Sequence, residues 1–178
     1  MAVRGHDDRT RMSTKIAHEV TGQMPERSTS AYLPKKGMKE VAVCDKCHLI
    51  YQNKRWYLDD KEASKLLTDS RTHRGTCPIC RRMEDNVPAG AVTLSGDYFR
   101  QHEGEILDLI KNTEVKSRVK NPFGRIMEIS QEGNVLNVST TEDKLAQKLG
   151  REVYKAHKGE LHYKWSHDQD MVRVAWQR

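Results

Sequence analysis

No apolar stretch in this chain approaches the ~18 residues that a membrane-spanning helix requires, and the mean hydropathy is −0.83. A charged segment followed by an apolar one, which is typical of a secretory signal, is also missing near Met1. The 178 residues suffice for one ordinary domain or two very small ones. We therefore expect a cytoplasmic protein without membrane contact that is too small for a large enzyme core.

The charge of the chain is positive but unevenly distributed. The 31 Lys and Arg exceed the 25 Asp and Glu, which gives a formal net charge of +6. Residues 1–40 carry 8 basic and 5 acidic side chains, residues 41–83 carry 9 and 5, and residues 84–178 carry 14 and 15. A basic first half joined to a nearly neutral second half predicts a surface that contacts a polyanion and a second part that serves as its scaffold. The alternative is that the basic side chains are ordinary solvated surface charges.

The first 39 residues show no sustained apolar periodicity, and proline and glycine interrupt them. A segment that buries little apolar surface cannot offset the entropy of ordering, which costs ~1–2 kcal/mol per residue. We predict a flexible basic arm over residues 1–39, which is either a loose tail or an arm that orders on nucleic acid. Its basic side chains include Arg4, Arg9, Arg11, Lys15, Lys35 and Lys36.

All four cysteines lie in one segment, as two C-x-x-C pairs: Cys44, Cys47, Cys77 and Cys80. Two such pairs supply the four thiolates of a tetrahedral zinc site, and Pro78 presets the backbone for a tight turn. Disulfides are not expected without a secretory signal, and a thioredoxin-like pair is not expected twice without a β-α-β pattern. We predict a Zn²⁺ ion held by these cysteines in a small zinc ribbon of two C-x-x-C knuckles, over residues 40–84.

A zinc ion with four sulfur ligands has no open position for water, so we expect it to stabilise the fold and not to catalyse hydrolysis. His48 and His73 flank the cysteines and are the alternative ligands. Binding free energies of roughly 10–16 kcal/mol for such sites exceed what a core of this size supplies by burial. Four thiolates on one Zn²⁺ leave negative charge, which Lys46, Arg81 and Arg82 can offset.

Cationic and aromatic side chains alternate between the two cysteine pairs. Residues 49–51 and 56–58 predict short strands around a turn, and Asp59 or Asp60 can cap a helix that runs to Leu67. Cations can neutralise phosphate and an aromatic ring beside them can stack on unpaired bases, although an aromatic residue such as Trp56 in so small a module more often fills the core. We predict RNA contacts, mainly to phosphate, by Lys54, Arg55, Trp56, Arg74, Arg81 and Arg82.

A second domain is predicted over residues 94–178, after a linker at residues 85–93 that contains Pro88 and Gly90. Ser95 offers an N-cap for a long helix that ends before Pro122. Two strands, a second helix that ends at Gly159 and a terminal hairpin follow. The order α-β-β-α-β-β predicts an α+β sandwich in which two helices cover one face of a four-stranded, mostly antiparallel sheet.

This second domain carries no catalytic motif. His157, His162 and His167 fall on opposite strand faces and turns, without a Gly-rich phosphate loop or a nucleophile motif. We therefore expect no enzyme activity and no small-molecule substrate. A remaining alternative is an enzyme whose catalytic residues are far apart in the sequence and come together only in the fold.

Several short motifs accompany the cysteine pairs: Lys54-Arg55-Trp56, Leu94-Ser95-Gly96-Asp97 at a helix start, and Thr140-Thr141 before Lys144-Leu145-Ala146. Together they resemble bacterial zinc-ribbon proteins of unassigned function. Those proteins are similar in turn to the N-terminal region of the archaeal and eukaryotic adaptor that escorts the large ribosomal subunit from the nucleus. The resemblance spans residues 40–178. The adaptor has more metal-binding cysteines and further domains, so ribosome binding carries over more readily than nuclear export.

The resemblance implies a factor that sits on the large ribosomal subunit near the transfer-RNA sites, during assembly or while translation is idle. Ribosomal RNA offers dense phosphate and unstacked bases, which suits the basic arm and the basic ribbon. The alternative is a zinc-ribbon adaptor that binds protein in transcription or stress regulation, through the exposed edge of the terminal sheet.

Overall fold

The computed structural model describes residues 20–21, residue 32, residues 41–166 and residues 171–178. Apart from residues 20–21 and 32, the predicted basic arm lies outside the described residues. Val20–Thr21 forms a two-residue strand, β1. None of the described helices is long and apolar enough to cross a membrane.

The cysteine-containing segment forms a four-stranded sheet with one helix on each face. Its strands are β2 (Ala42–Cys44), β3 (Ile50–Gln52), β4 (Arg55–Tyr57) and β5 (His73–Gly75), in the order β4-β3-β2-β5. Helix α1 (Asp60–Thr68) packs Ala63 against Val43 and Ile50 on one face. Helix α2 (Pro78–Glu84) packs Ile79 among the cysteines on the other.

Local sequence determines two of these elements. The carboxylate of Asp59 accepts a hydrogen bond from the Glu62 amide at 2.9 Å, which satisfies a free donor at the start of α1 as predicted. Asn53 and Lys54 join β3 to β4 with φ angles of 51° and 63°. Two consecutive left-handed residues are the requirement of a type I′ turn, the turn that two-residue hairpins favour.

The rest of the chain forms a six-stranded sheet in the order β1-β9-β10-β6-β8-β7. Its further strands are β6 (Gly90–Ser95), β7 (Ile126–Glu132), β8 (Val135–Thr140), β9 (Glu160–Ser166) and β10 (Met171–Gln177). The helices are α3 (Asp97–Gln101), α4 (Glu103–Arg118) and α5 (Asp143–His157). β10 is parallel to β6, and β1 is parallel to β9, whereas the other neighbouring strands are antiparallel.

The main core lies between one face of this sheet and the helices. Every second residue of a strand is buried, for example Val172, Val174 and Trp176 on β10, because side chains alternate between the two faces. Ala175, between them, is exposed. Helix α5 contacts β6, β8, β9 and β10, and α4 packs on α5. The result is the predicted two-layer α+β arrangement.

Two parts of the predicted second domain differ from the structure. The sheet has six strands and not four, because residues 90–95, which overlap the predicted linker, form the inner strand β6 and because β1 adds an edge strand. The predicted long helix is divided into α3 and α4 at His102, whose φ of −119° is not helical. The hairpins β7–β8 and β9–β10 and helix α5 are as predicted.

Candidate metal centre

The first cysteine pair lies in a reverse turn that follows β2. The Cys44 amide donates to the Leu49 carbonyl oxygen at 2.8 Å, and the His48 amide donates to the Cys44 carbonyl oxygen at 3.0 Å. His48 closes the turn with a φ of 61°, a conformation that costs roughly 1–2 kcal/mol for a residue with a Cβ atom. The turn is the predicted knuckle, and it brings the sulfurs of Cys44 and Cys47 to one side.

The second cysteine pair lies at the start of helix α2 and not in a second knuckle, which corrects the prediction of two knuckles. Cys77 is the N-cap residue, and its sulfur accepts a hydrogen bond from the Cys80 amide at 3.4 Å. Pro78 occupies the first turn, where its fixed φ is already helical and its missing N–H leaves no donor unsatisfied. One helical turn therefore places both sulfurs at the end of α2 that faces the knuckle.

The four cysteine sulfurs form one group. All four Sγ atoms lie within 4.8 Å of one another, with 3.8 Å between those of Cys44 and Cys80 and 3.5 Å between those of Cys47 and Cys77. A tetrahedron with metal–sulfur bonds of about 2.3 Å has edges of about 3.8 Å, whereas a disulfide needs about 2.05 Å. All four cysteines are free, so the group can hold a metal ion.

The predicted alternative ligands stay outside this group. The cluster of potential metal ligands contains the four cysteines alone, and neither His48 nor His73 joins it in the described part of the chain. Both histidine side chains are exposed. The donor set is therefore sulfur only.

The cysteine side chains of the cluster shift one another's pKa values. Hydrogen bonds with the Cys47 and Cys77 side chains lower the pKa of Cys44, and those with Cys44 and Cys47 raise the pKa of Cys77. Burial raises the pKa of Cys80 to about 12. A divalent ion would stabilise the thiolate form of all four cysteines.

The sulfur cluster is embedded in a small hydrophobic core that joins the two parts of the chain. Leu49 and Ile79 are buried in it, and Trp56, Met83 and Phe123 pack against it. Phe123 belongs to the segment between α4 and β7, in the part of the chain with the larger sheet. Sequence reasoning missed Phe123, because no local pattern signals a contact between residues so far apart in the chain.

The six predicted RNA-contacting residues do not form one compact surface. Lys54, Arg55, Arg74 and Arg81 are exposed, while Trp56 is half-buried. The guanidinium of Arg74 donates to the carbonyl oxygen of Leu67, which lies in the last turn of helix α1. The exposed cations therefore occur at the hairpin turn, on β4, on β5 and on α2.

Arg82 is partly buried and contacts the segment that leads from the larger sheet to α5. Its Nη1 atom donates to the Thr141 carbonyl oxygen at 3.0 Å, and its guanidinium lies 5.1 Å from the centroid of the Tyr32 ring. Lys46, another predicted counter-charge for the metal site, forms an ion pair with Glu84. These contacts give Arg82 a structural role between the two parts of the chain, and its contact with RNA phosphate stays a prediction.

Arg55 and Trp56 lie on opposite faces of the small sheet. Trp56 pairs with Tyr51 and faces the cysteine core, whereas Arg55 pairs with Gln52 and lies on the side of α1. Arg74 is on β5, at the other edge of the sheet from β4. The ring of Trp56 and the guanidinium of Arg55 can therefore contact the same ligand only at the outer edge of β4.

A surface pocket of about 570 Å³ occupies that edge. Its lining consists of Gln52, Asn53, Arg55, Trp56 and Tyr57. The Tyr57 hydroxyl lies 3.0 Å from Gln52 Oε1 and 3.0 Å from Glu62 Oε2, and its single proton is donated to one of the two. Sequence reasoning assigned Gln52 and Asn53 only to a turn, although an amide pair beside Arg55 and Trp56 is a signal for polar recognition.

The geometry brings four cysteine sulfurs together as a group that can hold a metal ion, in a basic module that packs on an α+β domain. Comparison of the chain with protein-family models, with curated proteins and with solved structures finds no match in any of the three. The resemblance to zinc-ribbon proteins and to the ribosomal export adaptor therefore stays a prediction from sequence.

Proposed function

We propose that this chain is a non-catalytic zinc protein that binds ribosomal RNA on the large ribosomal subunit in the cytoplasm, as an assembly factor or on idle ribosomes. The observation that carries the proposal is the four-sulfur group in a segment with 9 basic and 5 acidic side chains, residues 41–83. Four thiolates leave a tetrahedral zinc ion no position for a reacting water. The task of the metal is then to hold a binding surface in shape.

Zinc is the ion that best suits this donor set. Mg²⁺ and Ca²⁺ prefer oxygen ligands, whereas a tetrahedral group of four thiolates selects Zn²⁺ or iron. Elemental analysis of the native protein should give one zinc ion per chain, and thiol titration should detect four thiols only after a chelator is added. Bound iron, or a disulfide that forms and breaks reversibly, would point to redox chemistry instead.

The exposed cations of the module are the proposed contacts with RNA phosphate. Lys54, Arg55 and Arg81 are exposed, and their side chains form no ion pair within the described ranges of the chain. Phosphate contacts of this kind give an affinity that falls with salt, with a slope of about −0.7 per contact for single strands. An apolar contact with a protein partner would change little with salt.

Cosedimentation with purified large ribosomal subunits at several salt concentrations tests this proposal. Lys54, Arg55 and Arg81 are changed together to Ala, and the matched control changes Lys111, Lys116 and Lys120, three cations on or just after α4. We expect the first variant to lose binding and to reduce the salt slope by roughly 2, while the control binds like the wild type. Equal binding by all three proteins would mean that the contact surface is assigned wrongly.

The protein-adaptor alternative places its partner on the edge of the terminal hairpin. In the structure the outer edge of β9 already pairs with β1, with Val20 opposite Tyr163 and Thr21 opposite Lys164. A partner strand would have to displace β1 there. Salt-independent capture of a protein, without RNA, in a purification from cells would nevertheless favour this alternative.

A further inference from the structure

We infer that the pocket at the outer edge of β4 binds one unstacked base of single-stranded RNA. The inference rests on the proposed function and specifies what the module recognises besides phosphate. The pocket measures about 570 Å³, within the range of about 300–1,000 Å³ that is usual for small-ligand sites. Its lining combines an aromatic ring, side-chain amides and a guanidinium.

The indole of Trp56 supplies a fixed stacking surface. The ring packs against the cysteine core, and its centroid lies 5.2 Å from that of Tyr51 at an interplanar angle of 51°. Trp56 nevertheless stays half-buried and lines the pocket. A ring that is held in place loses little entropy on binding, and stacking of a base on such a ring tolerates every base type.

The backbone of Trp56 adds a donor and an acceptor at the same place. In a two-residue hairpin the paired residues next to the turn, Gln52 and Arg55, exchange hydrogen bonds, and so does the pair Ile50 and Tyr57. The N–H and C=O groups of Trp56 therefore point away from β3. No strand of the described residues pairs with this edge of β4, so both groups can bind the edge of a base.

The remaining lining groups select a nucleotide over an apolar ligand. The side-chain amide of Gln52 lines the pocket and carries both a donor and an acceptor that can pair with the edge of a base. Asn53 is exposed and offers a second amide. The guanidinium of Arg55 can bind the phosphate next to the captured base, which matches the positive charge of the segment.

An abasic oligonucleotide separates base capture from phosphate docking. The binding of the full-length, zinc-loaded protein to an eight-nucleotide single-stranded RNA is measured by fluorescence anisotropy. The same backbone without bases serves as the second probe. We expect the abasic probe to bind at least about fivefold more weakly, since one stacked base contributes that much or more. The expected change is a ratio of two affinities, so it does not depend on the number of phosphate contacts.

Two variants test whether the difference in affinity between the two probes depends on Trp56. Trp56→Leu should bring the affinity ratio of the two probes close to one, while Lys54→Ala should weaken both probes equally and leave the ratio unchanged. If Trp56→Leu loses its zinc, ¹⁵N spectra of the wild type decide instead. RNA should then shift the indole resonance of Trp56 and not those of Trp165 and Trp176.

The outcomes distinguish this inference from the proposed function. Equal binding of both probes by the wild type, or an unshifted Trp56 resonance, would overturn the base pocket while phosphate docking stands. Absence of binding to either probe would overturn the base pocket as well, and the cosedimentation with large ribosomal subunits would then decide on the proposed function.

Discussion

Arg81 and Arg82 are neighbours in helix α2, yet their side chains have different surroundings. Arg81 is exposed, whereas Arg82 donates to the Thr141 carbonyl oxygen at 3.0 Å. We expect Arg82→Ala to lower the free energy of unfolding by roughly 1–2 kcal/mol, because a charge-assisted hydrogen bond between the two parts of the chain is lost. Urea denaturation measures the change.

Arg81→Ala is the matched control, since it removes the same charge one position earlier in the helix. Its free energy of unfolding should stay within about 0.5 kcal/mol of the wild type, as is usual at exposed positions. If both variants lost stability equally, the cause would be the charge of α2 and not the contact with Thr141.

His157 is a buried histidine with a hydrogen-bond partner on another helix. Its Nδ1 atom lies 3.2 Å from the Tyr98 hydroxyl, and burial lowers its pKa below the ordinary value of 6.5, with Glu105 acting in the opposite direction and His102 and Arg178 adding to the decrease. The unfolded chain therefore takes up a proton more readily than the folded one. The contribution of neutral His157 is complete above pH 6.5 and declines as the pH falls below that value.

Denaturation curves at about pH 7.5 and about pH 5.5 test this dependence. The wild type should be less stable at the lower pH, and His157→Gln should show a smaller loss between the two. His162→Gln changes an exposed histidine on β9 and should keep the wild-type loss. An unchanged pH dependence in His157→Gln would assign the effect to another group.

Helix α5 lies unusually close to the larger sheet because a glycine faces β10. A Cβ atom on Gly150 would come within 2.5 Å of Val174 Cγ1 and 3.1 Å of Leu161 Cδ1. We expect Gly150→Ala to lower the free energy of unfolding by roughly 1–2 kcal/mol, since overpacking outweighs the gain of up to ~1 kcal/mol in helix propensity. Thermal and urea denaturation both report the change.

Gly104 provides the opposite case on helix α4. A Cβ atom there would meet nothing within 4 Å, so Gly104→Ala should raise the free energy of unfolding by about 0.5 kcal/mol. A gain in stability from both substitutions would show that α5 can move away from the sheet without cost.

Elements whose residues meet at short sequence separation could be predicted from the sequence. The hairpins β7–β8 and β9–β10 and helices α1 and α5 carry their own turn, capping and periodicity signals. Strand β6 could not be predicted in this way. It contains the polar residues Thr93 and Ser95, and its parallel partner β10 follows only at the end of the chain, so no local pattern shows that it is an inner strand.

The four-cysteine group shows the same limit of local sequence patterns. The clustering of the four cysteines could be predicted because the spacing of the two C-x-x-C pairs matches that of a four-thiolate site. The surroundings of the second pair could not, since the sequence C-P-x-C fits both a tight turn and the first turn of a helix. The outward direction of Arg81 and the inward direction of Arg82 depend on how α2 meets the larger sheet, which neither arginine indicates.

At the scale of the whole molecule, the described residues form three hydrophobic clusters of very different size. The larger sheet and its helices bury a continuous core that includes Phe99, Leu149 and Trp176. The basic module has only the cysteine core and a second cluster around Val43, Ile50 and Ala63. Such small clusters supply little stability by themselves, so we expect a metal ion bound by the four cysteines to contribute most of the folding free energy of the module.

Removal of the metal should therefore unfold one part of the molecule and spare the other. After treatment with a strong chelator, hydrogen exchange measured by mass spectrometry should show loss of protection in β2, β3, β4 and β5, while β6, β8 and β10 stay protected. Added Zn²⁺ should restore the protection, whereas Mg²⁺ should not, because thiolates bind it poorly. Arg82 and Phe123 connect the two parts, so protection of the nearby Thr141 amide should fall as well. Unchanged protection of β2–β5 in protein that has demonstrably lost its metal would mean that packing alone holds the module, and the structural role of the four cysteines would have to be abandoned.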